Sequence, residues 1–442
     1  MKLIFADRIK SQYAGIDADA LTRHIQESIS PNKSQPTISI GAKGSSFKGL
    51  DDYCDGVDDH KQLQRAIDAL PATGGRISLS AGEFVGKKVT INKSYVTVEG
   101  QGISTIYKIA DGTNDNGFYI YKGAGVENRL DFCRMQNFNI VGNKANQTST
   151  GDAIHAENTY QTWIHGVWIF GAKQKGIHFA SCSSGWITQC FFSYTNFGEE
   201  FICLDGASHE CCIVGNDGGY AGQDTVSSGI YVGPDLASVL VAHNGLGLCK
   251  KHGIEFLGTR GRIIGNDSEH NDQAGIYIGN NNNIVNDNIV ESNSRASAGA
   301  WSGITWAANK GYCTVIGNRC LDLESPKTQN YGIEEPDTGG SNTIIGNNVL
   351  NNLQTSGIKS ASAGGSIVRN NKGHVTENSG TATGTGAEQL VAHGLAFTPT
   401  RQQIALFAGS ATANPYHSSN PDATNIKVTA VNLQPWYWAR AG

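Results

Sequence analysis

The sequence predicts an all-β protein that winds into a right-handed parallel β-helix with three strands per coil. A short unit, which begins at an apolar residue after glycine, recurs along the chain in steps of 22 to 29 residues. Repeats of this kind are typical of solenoid proteins. The composition agrees, because 55 glycines against 10 prolines and 2 methionines favour short strands joined by tight turns.

Each unit contains about three short apolar runs, and the second run usually ends on asparagine. Coils stacked about 4.8 Å apart would place equivalent residues in rows along the helix. The aligned apolar residues are Ile154, Ile177, Ile202, Ile230, Ile254, Ile276, Ile304, Ile333 and Ile358. The asparagines predicted to form a hydrogen-bonded ladder are Asn216, Asn244, Asn266, Asn286, Asn318 and Asn347, with Asn370 closing the last unit.

The N-terminal region predicts a helix that covers the end of the stack. Leu63, Ile67 and Leu70 share one helical face, with Asp58 or Asp59 as the N-cap and the PATGG stretch as the stop. Residues 1–36 form an N-terminal extension, residues 37–375 the β-helix with its cap, and residues 376–442 a small C-terminal β domain. The last boundary is where the repeat gives way to alternating strands.

One stretch carries a resemblance to a known family. GVDDHKQLQRAIDALPATGGRISLSAGEF followed by VTVEGQG resembles the opening of the pectate-lyase-like β-helix superfamily. This resemblance implies the fold, and it implies action on polysaccharides without naming a reaction, because the superfamily includes lyases, hydrolases, epimerases and phage tail depolymerases. HGLAFTPT and WYWA resemble C-terminal modules of phage β-helix proteins, which implies a homotrimer and a virion setting.

Charge and hydropathy exclude two classes of partner. The net charge of −5 comes without a basic run, so we expect no nucleic-acid partner. No apolar run reaches the roughly 20 residues that span a bilayer, so we expect no membrane association. The first residues, MKLIFADRIK, lack the features of a signal peptide, which leaves the localisation open between virion-associated and extracellular.

Ten cysteines without CxxC or Cys/His metal spacing indicate buried apolar side chains rather than disulfides. No metal and no cofactor are predicted.

The residues that directly follow the aligned isoleucines should point outward, because side chains alternate along a strand. In order they are His155, His178, Cys203, Tyr231, Glu255, Tyr277, Thr305 and Glu334. Glu255 would lie between Tyr231 and Tyr277, where rings can stack on sugar faces. An apolar surrounding raises the pKa of a carboxyl group toward that of a general acid.

The residues two positions before the aligned isoleucines form a second row, which reads Lys175, Glu200, Ser228, His252, Ala274 and Ser302. GEEFICLDG and KHGIEF resemble two polygalacturonase-type motifs, an adjacent acid pair and GHGI. The resemblance implies acid chemistry at Glu199 and Glu200, with a role for His252. The sequence departs from that family because its acids are glutamates and an extra coil, at Ile230, separates the two motifs.

These observations predict a glycoside hydrolase that acts in a groove along the first sheet. The predicted catalytic residues are Glu199, Glu200, His252 and Glu255. The predicted substrate-binding residues are Tyr231, Tyr277, Lys175, His178, Asp224 and Trp301. Several of these side chains also admit a structural role, for instance a pairing of Glu199 and Glu200 with Lys175 one coil away.

Three alternatives stay open. Asp217 and Asp267, with His243 near by, could form an inverting pair on the asparagine side of the helix. A polysaccharide lyase would draw its cations from Lys250, Lys251, Arg260 and Arg262. A non-catalytic tail-spike-like protein would bind a carbohydrate receptor without cleaving it.

Overall fold

The computed structural model describes residues 36–45, 51–193, 197–335, 339–360 and 365–440. Within these ranges the chain forms a right-handed parallel β-helix with three long sheets, which confirms the predicted fold class. The predicted N-terminal extension, residues 1–36, lies outside the described residues apart from Pro36. No helix among the described residues is long and apolar enough to cross a bilayer.

Most coils contribute one strand to each of the three sheets, in a fixed order along the chain. The first sheet contains Val89–Ile91, Phe118–Ile120, Leu130–Asp131, Ile154–Tyr160, Ile177–Ser183, Ile202–Asp205, Ile230–Val232, Ile254–Phe256, Ile276–Ile278, Ile304–Trp306, Ile333–Glu334 and Ile358–Lys359. The second sheet contains Thr37–Gly41, Asp52–Tyr53, Gly75–Leu79, Val96–Glu99, Arg134–Gln136, Trp163–His165, Trp186–Thr188, Cys212–Val214, Leu240–Ala242, Arg262–Ile264, Ile284–Asn286, Thr314–Ile316, Thr343–Ile345 and Ile367–Arg369. The third sheet contains Gly82–Gly86, Thr105–Ile109, Asn139–Val141, Trp168–Phe170, Phe191–Phe192, Asp217–Gly219, Gly245–Gly247, Asp267–Glu269, Ile289–Glu291 and Arg319–Leu321.

The predicted alignment of isoleucines is the register of the first sheet. Ile154 pairs with Ile177 and Ile177 with Ile202, and the same pairing continues coil by coil to Ile358. These side chains are buried in one continuous core that extends through the β-helix. Because the interior is filled, chemistry can take place only on the outer faces of the sheets.

An asparagine ladder joins the coils where the second strand turns into the third. The side-chain amide of each asparagine donates to the side-chain carbonyl of the next at 2.9–3.0 Å. Its members are Asn216, Asn244, Asn266, Asn288, Asn318, Asn347 and Asn371. The prediction was therefore wrong at two positions, where Asn286 and Asn370 were expected.

The reason for both errors is the backbone of the turn. Each of these ladder asparagines from Asn266 onward follows a residue with positive φ, and glycine usually takes that place, as at Gly265 (φ 64°). Asp287 (φ 56°) and Asn370 (φ 55°) take it in the two units concerned. After glycine, asparagine and aspartate are the residue types that best tolerate this left-handed conformation. Asn370 therefore occupies the left-handed position of the turn and is not a member of the ladder.

The capping helix is His60–Ala69, and it buries Leu63 and Ile67 as the periodicity predicted, together with Ala66. Leu70, the third predicted residue, is also buried, but it is the C-cap that follows the helix. Asp59 occupies the N-cap position without a side-chain bond to the helix. Its carboxylate instead accepts hydrogen bonds from the backbone N–H groups of Gly56 and Val85, at 2.9 and 2.8 Å. Asp59 therefore fastens the helix to the first coils, whereas the sequence predicted only a local cap.

The C-terminal residues form a separate small β module, also as predicted. One antiparallel sheet contains Asn378–Thr383, Pro435–Arg440 and Ala405–Ala408, and the other contains Glu388–Ala392, Asn425–Thr429 and Tyr416–His417. Trp436 and Trp438 are buried in the core of this module, which is distinct from that of the β-helix. Two further strands of the β-helix region, Lys310–Gly311 and Gly339–Gly340, form a separate parallel pair. Four 3-10 turns, Gly102–Ser104, Val126–Asn128, Lys144–Asn146 and Arg401–Gln403, complete the described elements.

The ladder assignment predicts a difference between two nearby asparagines. Asn288 donates to Asn318 and to the backbone carbonyl of Ile263, and it accepts from Asn266. Asn288→Ala leaves these buried partners unsatisfied and should lower the free energy of unfolding by about 1–3 kcal/mol, measured by denaturant unfolding. Asn286→Ala is the matched control and should change it by less than about 0.5 kcal/mol. Equal losses in both variants would contradict the assignment.

Candidate active site

The outward side chains of the first sheet form one continuous row, the groove row. In-register pairing places Glu255 between Tyr231 and Tyr277, as the sequence predicted. Its members in order are Thr90, Tyr119, His155, His178, Cys203, Tyr231, Glu255, Tyr277, Thr305, Glu334 and Lys359. The row combines imidazoles, carboxylates and aromatic rings on one face of the molecule.

Glu255 is buried and fully engaged in hydrogen bonds. Lys251 donates to both of its carboxylate oxygens at 2.7 Å, and the hydroxyl of Ser228 donates to Oε2 at 2.8 Å. Lys251 lies four residues before Glu255, whereas Ser228 comes from the preceding coil. Glu255 therefore accepts three hydrogen bonds and forms an ion pair with Lys251.

His252 is a buried, neutral imidazole within an aromatic group. Its ring stacks on Tyr277 at 4.8 Å and 10°, and it meets the edge of Trp301 at 5.1 Å and 77°. The backbone N–H of Ala274 donates to Nδ1 at 3.1 Å, which leaves the ring proton on Nε2. Burial, with a smaller contribution from the Lys251 cation, lowers the pKa of His252 to about 3. His252 can therefore orient rings or donate a hydrogen bond, but it does not supply a proton by titrating near neutral pH.

Glu199 and Glu200 meet Lys175, as the structural alternative anticipated. The Lys175 ammonium lies 2.5 Å from Oε2 of Glu199 and 3.9 Å from Oε2 of Glu200. Gln174 donates to the other oxygen of Glu199 at 3.2 Å, so Glu199 is held by two side chains. Burial raises the pKa of Glu200, and the Lys175 cation offsets only part of this effect. Of the two glutamates, Glu200 has the properties of a general acid.

A histidine cluster, consisting of Asp152, His155, His178 and Asp205, lies further along the groove row. Oδ2 of Asp152 lies 2.9 Å from Nδ1 of His155 and 3.1 Å from Nδ1 of His178. Nε2 of His178 lies 3.0 Å from Oδ2 of Asp205. Burial alone would lower the pKa of His178, but pairing with Asp152 and Asp205 raises it to about 12. A protonated His178 therefore carries a positive charge between the two carboxylates.

The remaining predicted residues lie apart from these groups. Asp224, in the loop before Ile230, pairs with Lys144 at 2.7 Å and with Lys173 at 2.8 Å, which fastens that loop to the adjacent coils. Asp217 and Asp267 project from the third sheet two coils apart, with Gly245 between them. They lie on a different sheet from the groove row.

Sequence reasoning missed two residues of the histidine cluster. Asp152 lies two residues before Ile154, so it belongs to the same row as Lys175 and Glu200, one coil before Lys175. Extending the isoleucine alignment by one coil would have identified it. Asp205 was missed because the strands Ile177–Ser183 and Ile202–Asp205 continue beyond three residues, which adds a further outward position. Ala180 and Asp205 are paired at that position.

The contacts of Glu255 occur a second time in the groove row. Ser302 donates to Glu334 at 2.6 Å, and Lys359 lies 3.2 Å from its other oxygen. Serine, lysine and carboxylate therefore meet at Glu334 as they do at Glu255. The neighbours in the row differ, however, because Glu334 lies between Thr305 and Lys359 rather than between two tyrosines.

No family model matches the chain. Solved structures are similar to it over most of their length. The A-module of mannuronan C-5 epimerase AlgE6 from Azotobacter vinelandii is 16% identical over 72% of this chain and 96% of its own, with a TM-score of 0.57. Dettilon tailspike protein is 14% identical over 83% and 87%, with a TM-score of 0.55. DFA-IIIase from Arthrobacter chlorophenolicus A6, without its lid, is 15% identical over 72% and 91%, with a TM-score of 0.56.

The chain shares the right-handed parallel β-helix fold of these structures, so the architecture implied by the N-terminal motif is confirmed. Identities of 14–16% establish the fold alone, so the chemistry of this β-helix has to be argued from its own side chains.

The environment of His252 predicts a pH dependence of stability. Its pKa is lowered to about 3 in the folded protein, against about 6.5 for an exposed histidine. Between these two pKa values His252 is protonated in the unfolded chain and neutral in the folded protein. The neutral, buried His252 therefore contributes fully to the free energy of unfolding above pH 6.5, and this contribution is lost as the pH falls toward 3. The imidazole signals of His252 in NMR, assigned with His252→Gln, should stay those of the neutral ring down to pH 4. A titration midpoint near 6.5 would contradict the buried environment.

Proposed function

We propose that the protein is a polysaccharide-degrading glycoside hydrolase that acts in the groove along the first sheet. The observation that carries the proposal is the order Tyr231, Glu255, Tyr277 on neighbouring strands, with a carboxylate between two aromatic side chains. Because strands lie about 4.8 Å apart, the two rings are about 9–10 Å apart, one on each side of Glu255. They can therefore contact sugar units on both sides of the carboxylate. Trp301, against the ring of His252, extends the aromatic surface beside Tyr277.

Glu200 and Glu255 are suited to opposite roles in hydrolysis. Burial raises the pKa of Glu200, which favours the protonated form that a general acid needs. Glu255 instead accepts hydrogen bonds from the Lys251 cation and from Ser228, which hold its carboxylate in place for the role of general base. A pair of carboxyl groups with opposed environments is the arrangement expected for acid–base cleavage of a glycosidic bond.

The spacing of these two residues favours inversion of configuration. Glu200 belongs to the coil of Ile202 and Glu255 to the coil of Ile254, two coils further. The axial separation is about 9–10 Å from the strand spacing, close to the upper end of the roughly 6.5–9.5 Å found between the carboxyl groups of inverting enzymes. Glu200 would protonate the leaving oxygen, while Glu255 would take a proton from the attacking water. Glu199 positions Lys175, which in turn faces Glu200.

The structural neighbours support a carbohydrate ligand for this face. The mannuronan C-5 epimerase is named for a polysaccharide substrate, and the Dettilon protein is named as a tailspike. Both resemble this chain in fold, and in both the shared architecture extends over most of the structure. We therefore propose a polysaccharide as the partner, bound by Tyr231, Tyr277, Lys175, His178 and Trp301.

Hydrolysis is tested by a screen over pectins, alginate, glucans and bacterial capsules, with reducing ends as the readout. On the substrate that is cleaved, Glu200→Gln and Glu255→Gln should each lower kcat by about 10²–10⁴-fold, because each removes a proton-transfer group. Tyr277→Ala should act mainly on KM, since it removes a ring that contacts the sugar rather than the reacting atoms.

Glu334→Gln is the matched control, because Glu334 has the same serine and lysine contacts without flanking tyrosines. It should retain activity within about twofold of the wild type. Wild-type cleavage in both Glu200→Gln and Glu255→Gln would overturn the hydrolase proposal, as would equal losses in Glu255→Gln and Glu334→Gln.

A second candidate is β-elimination of a uronate at the histidine cluster. His178 and Lys175 provide cations that can neutralise a carboxylate, and His155, bonded to Asp152, has the imidazole that a base requires. It ranks second because Nε2 of His155 is buried, out of reach of a substrate in this conformation. Ultraviolet absorption from unsaturated ends, in place of saturated reducing ends, would establish it.

A third candidate is a tail-spike-like carrier that binds a receptor polysaccharide as a homotrimer. The C-terminal module favours it, because Phe407 and Tyr437 are paired on adjacent strands and are 52% and 45% exposed. Burial of these rings against a second copy would remove apolar surface from water.

The trimer is tested by size-exclusion chromatography with light scattering. The full chain should elute as a trimer, and the double variant Phe407→Ser, Tyr437→Ser should elute as a monomer because the apolar contact is lost. Val126→Ser, at an exposed apolar residue of the β-helix, should leave the trimer intact. A monomeric wild-type protein would rule the proposal out.

A further inference from the structure

Three donor side chains of different chemistry meet in the groove, next to the groups assigned to hydrolysis. His178 and Cys203 are paired on neighbouring strands, and Asp205 lies two residues after Cys203. Nε2 of His178 is 3.0 Å from Oδ2 of Asp205, and Sγ of Cys203 is 3.9 Å from the same oxygen. All three donor atoms lie within 4.8 Å of one another.

These separations are close to those of a metal site. Zinc bonds to nitrogen, oxygen and sulfur are about 2.0–2.3 Å long, so the donors of a tetrahedral site lie about 3.3–3.8 Å apart. The observed 3.0 and 3.9 Å differ from this range by a few tenths of an ångström, which small side-chain rotations can correct. Three protein donors leave one coordination position open, as in catalytic zinc sites.

The surroundings of His178 orient it for this purpose. Asp152 accepts a hydrogen bond from Nδ1 of His178 at 3.1 Å, and Asp152 is held in turn by the backbone N–H of Lys175 at 3.0 Å. The hydrogen bond places a proton on Nδ1, so in a neutral ring the lone pair lies on Nε2 and points toward Cys203 and Asp205. A carboxylate behind a ligand histidine is the usual support of a metal site.

Nε2 of His178 forms an ion pair with Asp205 but makes no well-directed hydrogen bond to any described residue. The atom is buried, and although Asp205 lies at the distance of an ion pair, its direction is not that of a hydrogen bond. Buried ring nitrogens are normally hydrogen-bonded. Two occupants can satisfy Nε2 here, either a proton, which makes His178 a cation between two carboxylates, or a metal ion.

We propose that His178, Cys203 and Asp205 bind one divalent transition-metal ion of the zinc class, with Asp152 as the positioning residue. The combination of imidazole, thiolate and one carboxylate favours zinc over calcium or magnesium, which prefer oxygen ligands alone. The open coordination position would bind water or a substrate oxygen. The sequence predicted no metal because it weighed only clustered aspartates and regular Cys/His spacing, whereas these ligands come from two strands.

The site is tested on the full chain, stripped of metal with a chelator and then titrated with Zn²⁺ against a chromophoric chelator. Wild-type protein should bind one ion per chain. Cys203→Ser and His178→Ala should each weaken binding at least about 100-fold, since each removes a ligand. Asp152→Asn should weaken it about 10–100-fold, the usual effect of losing the group behind a ligand histidine. Co²⁺ should give a thiolate charge-transfer band that Cys203→Ser abolishes.

Cys212→Ser is the matched control, because Cys212 is a partly exposed cysteine of the second sheet. It should keep both the stoichiometry and the cobalt band. Asp205→Asn, at a carboxylate whose side chain is 42% exposed, gives a second ligand variant that should fold if Cys203→Ser does not; thermal unfolding checks each variant. Failure of the wild type to bind one ion, or unchanged binding in Cys203→Ser or Asp205→Asn, overturns the proposal. These readouts do not depend on cleavage by Glu200 and Glu255, so either proposal can fail alone.

Discussion

The in-register stacking of one coil on the next is the constraint on which the rest of the structure depends. Each first-sheet isoleucine pairs with its equivalent one coil away, from Ile154 to Ile358. A shift by one residue would turn every apolar side chain of a strand outward and every groove side chain inward. One strand register therefore determines both which side chains fill the core and which form the groove row, and neither set can change without the other.

The turns maintain this register at every coil. Each ladder asparagine is bonded to asparagines of the adjacent coils, and from Asn266 onward a left-handed residue precedes it. A second ladder, Asn271, Asn293, Gln329 and Asn352, joins the coils at the turn before the first sheet. Because that turn precedes the strands of the groove row, its ladder fixes the spacing of the outward side chains from Tyr277 to Lys359. A substrate therefore meets a face whose spacing is set before binding, which reduces the entropy lost in ordering the site.

The sequence predicts those parts of the structure that repeat and fails where one unit departs from the pattern. The isoleucine alignment alone determined the neighbours of Glu255, because one register covers all coils. Asn286 was assigned in place of Asn288 because Asp287, rather than glycine, takes the left-handed position in that unit. The contacts of individual side chains, such as Lys175 with Glu199 across a coil, depend on rotamers that a repeat does not encode. Asp205 was missed for a related reason, since its strand extends one residue beyond the three-residue strands of the following coils.

The duplication of one bonding pattern shows where function has to be sought on such a surface. Glu255 and Glu334 each accept a hydrogen bond from a serine hydroxyl and form an ion pair with a lysine. The same contacts therefore hold an outward carboxylate at two positions of the groove row. Contacts found at both positions cannot distinguish a catalytic carboxylate from a structural one. What differs is the neighbourhood, since Glu255 alone has tyrosines on both adjacent strands and Glu200, with its raised pKa, two coils away. In a repetitive fold, a catalytic residue is therefore recognised by what differs between its coil and the others. Among the groove-row carboxylates, Glu255 shows the most such differences.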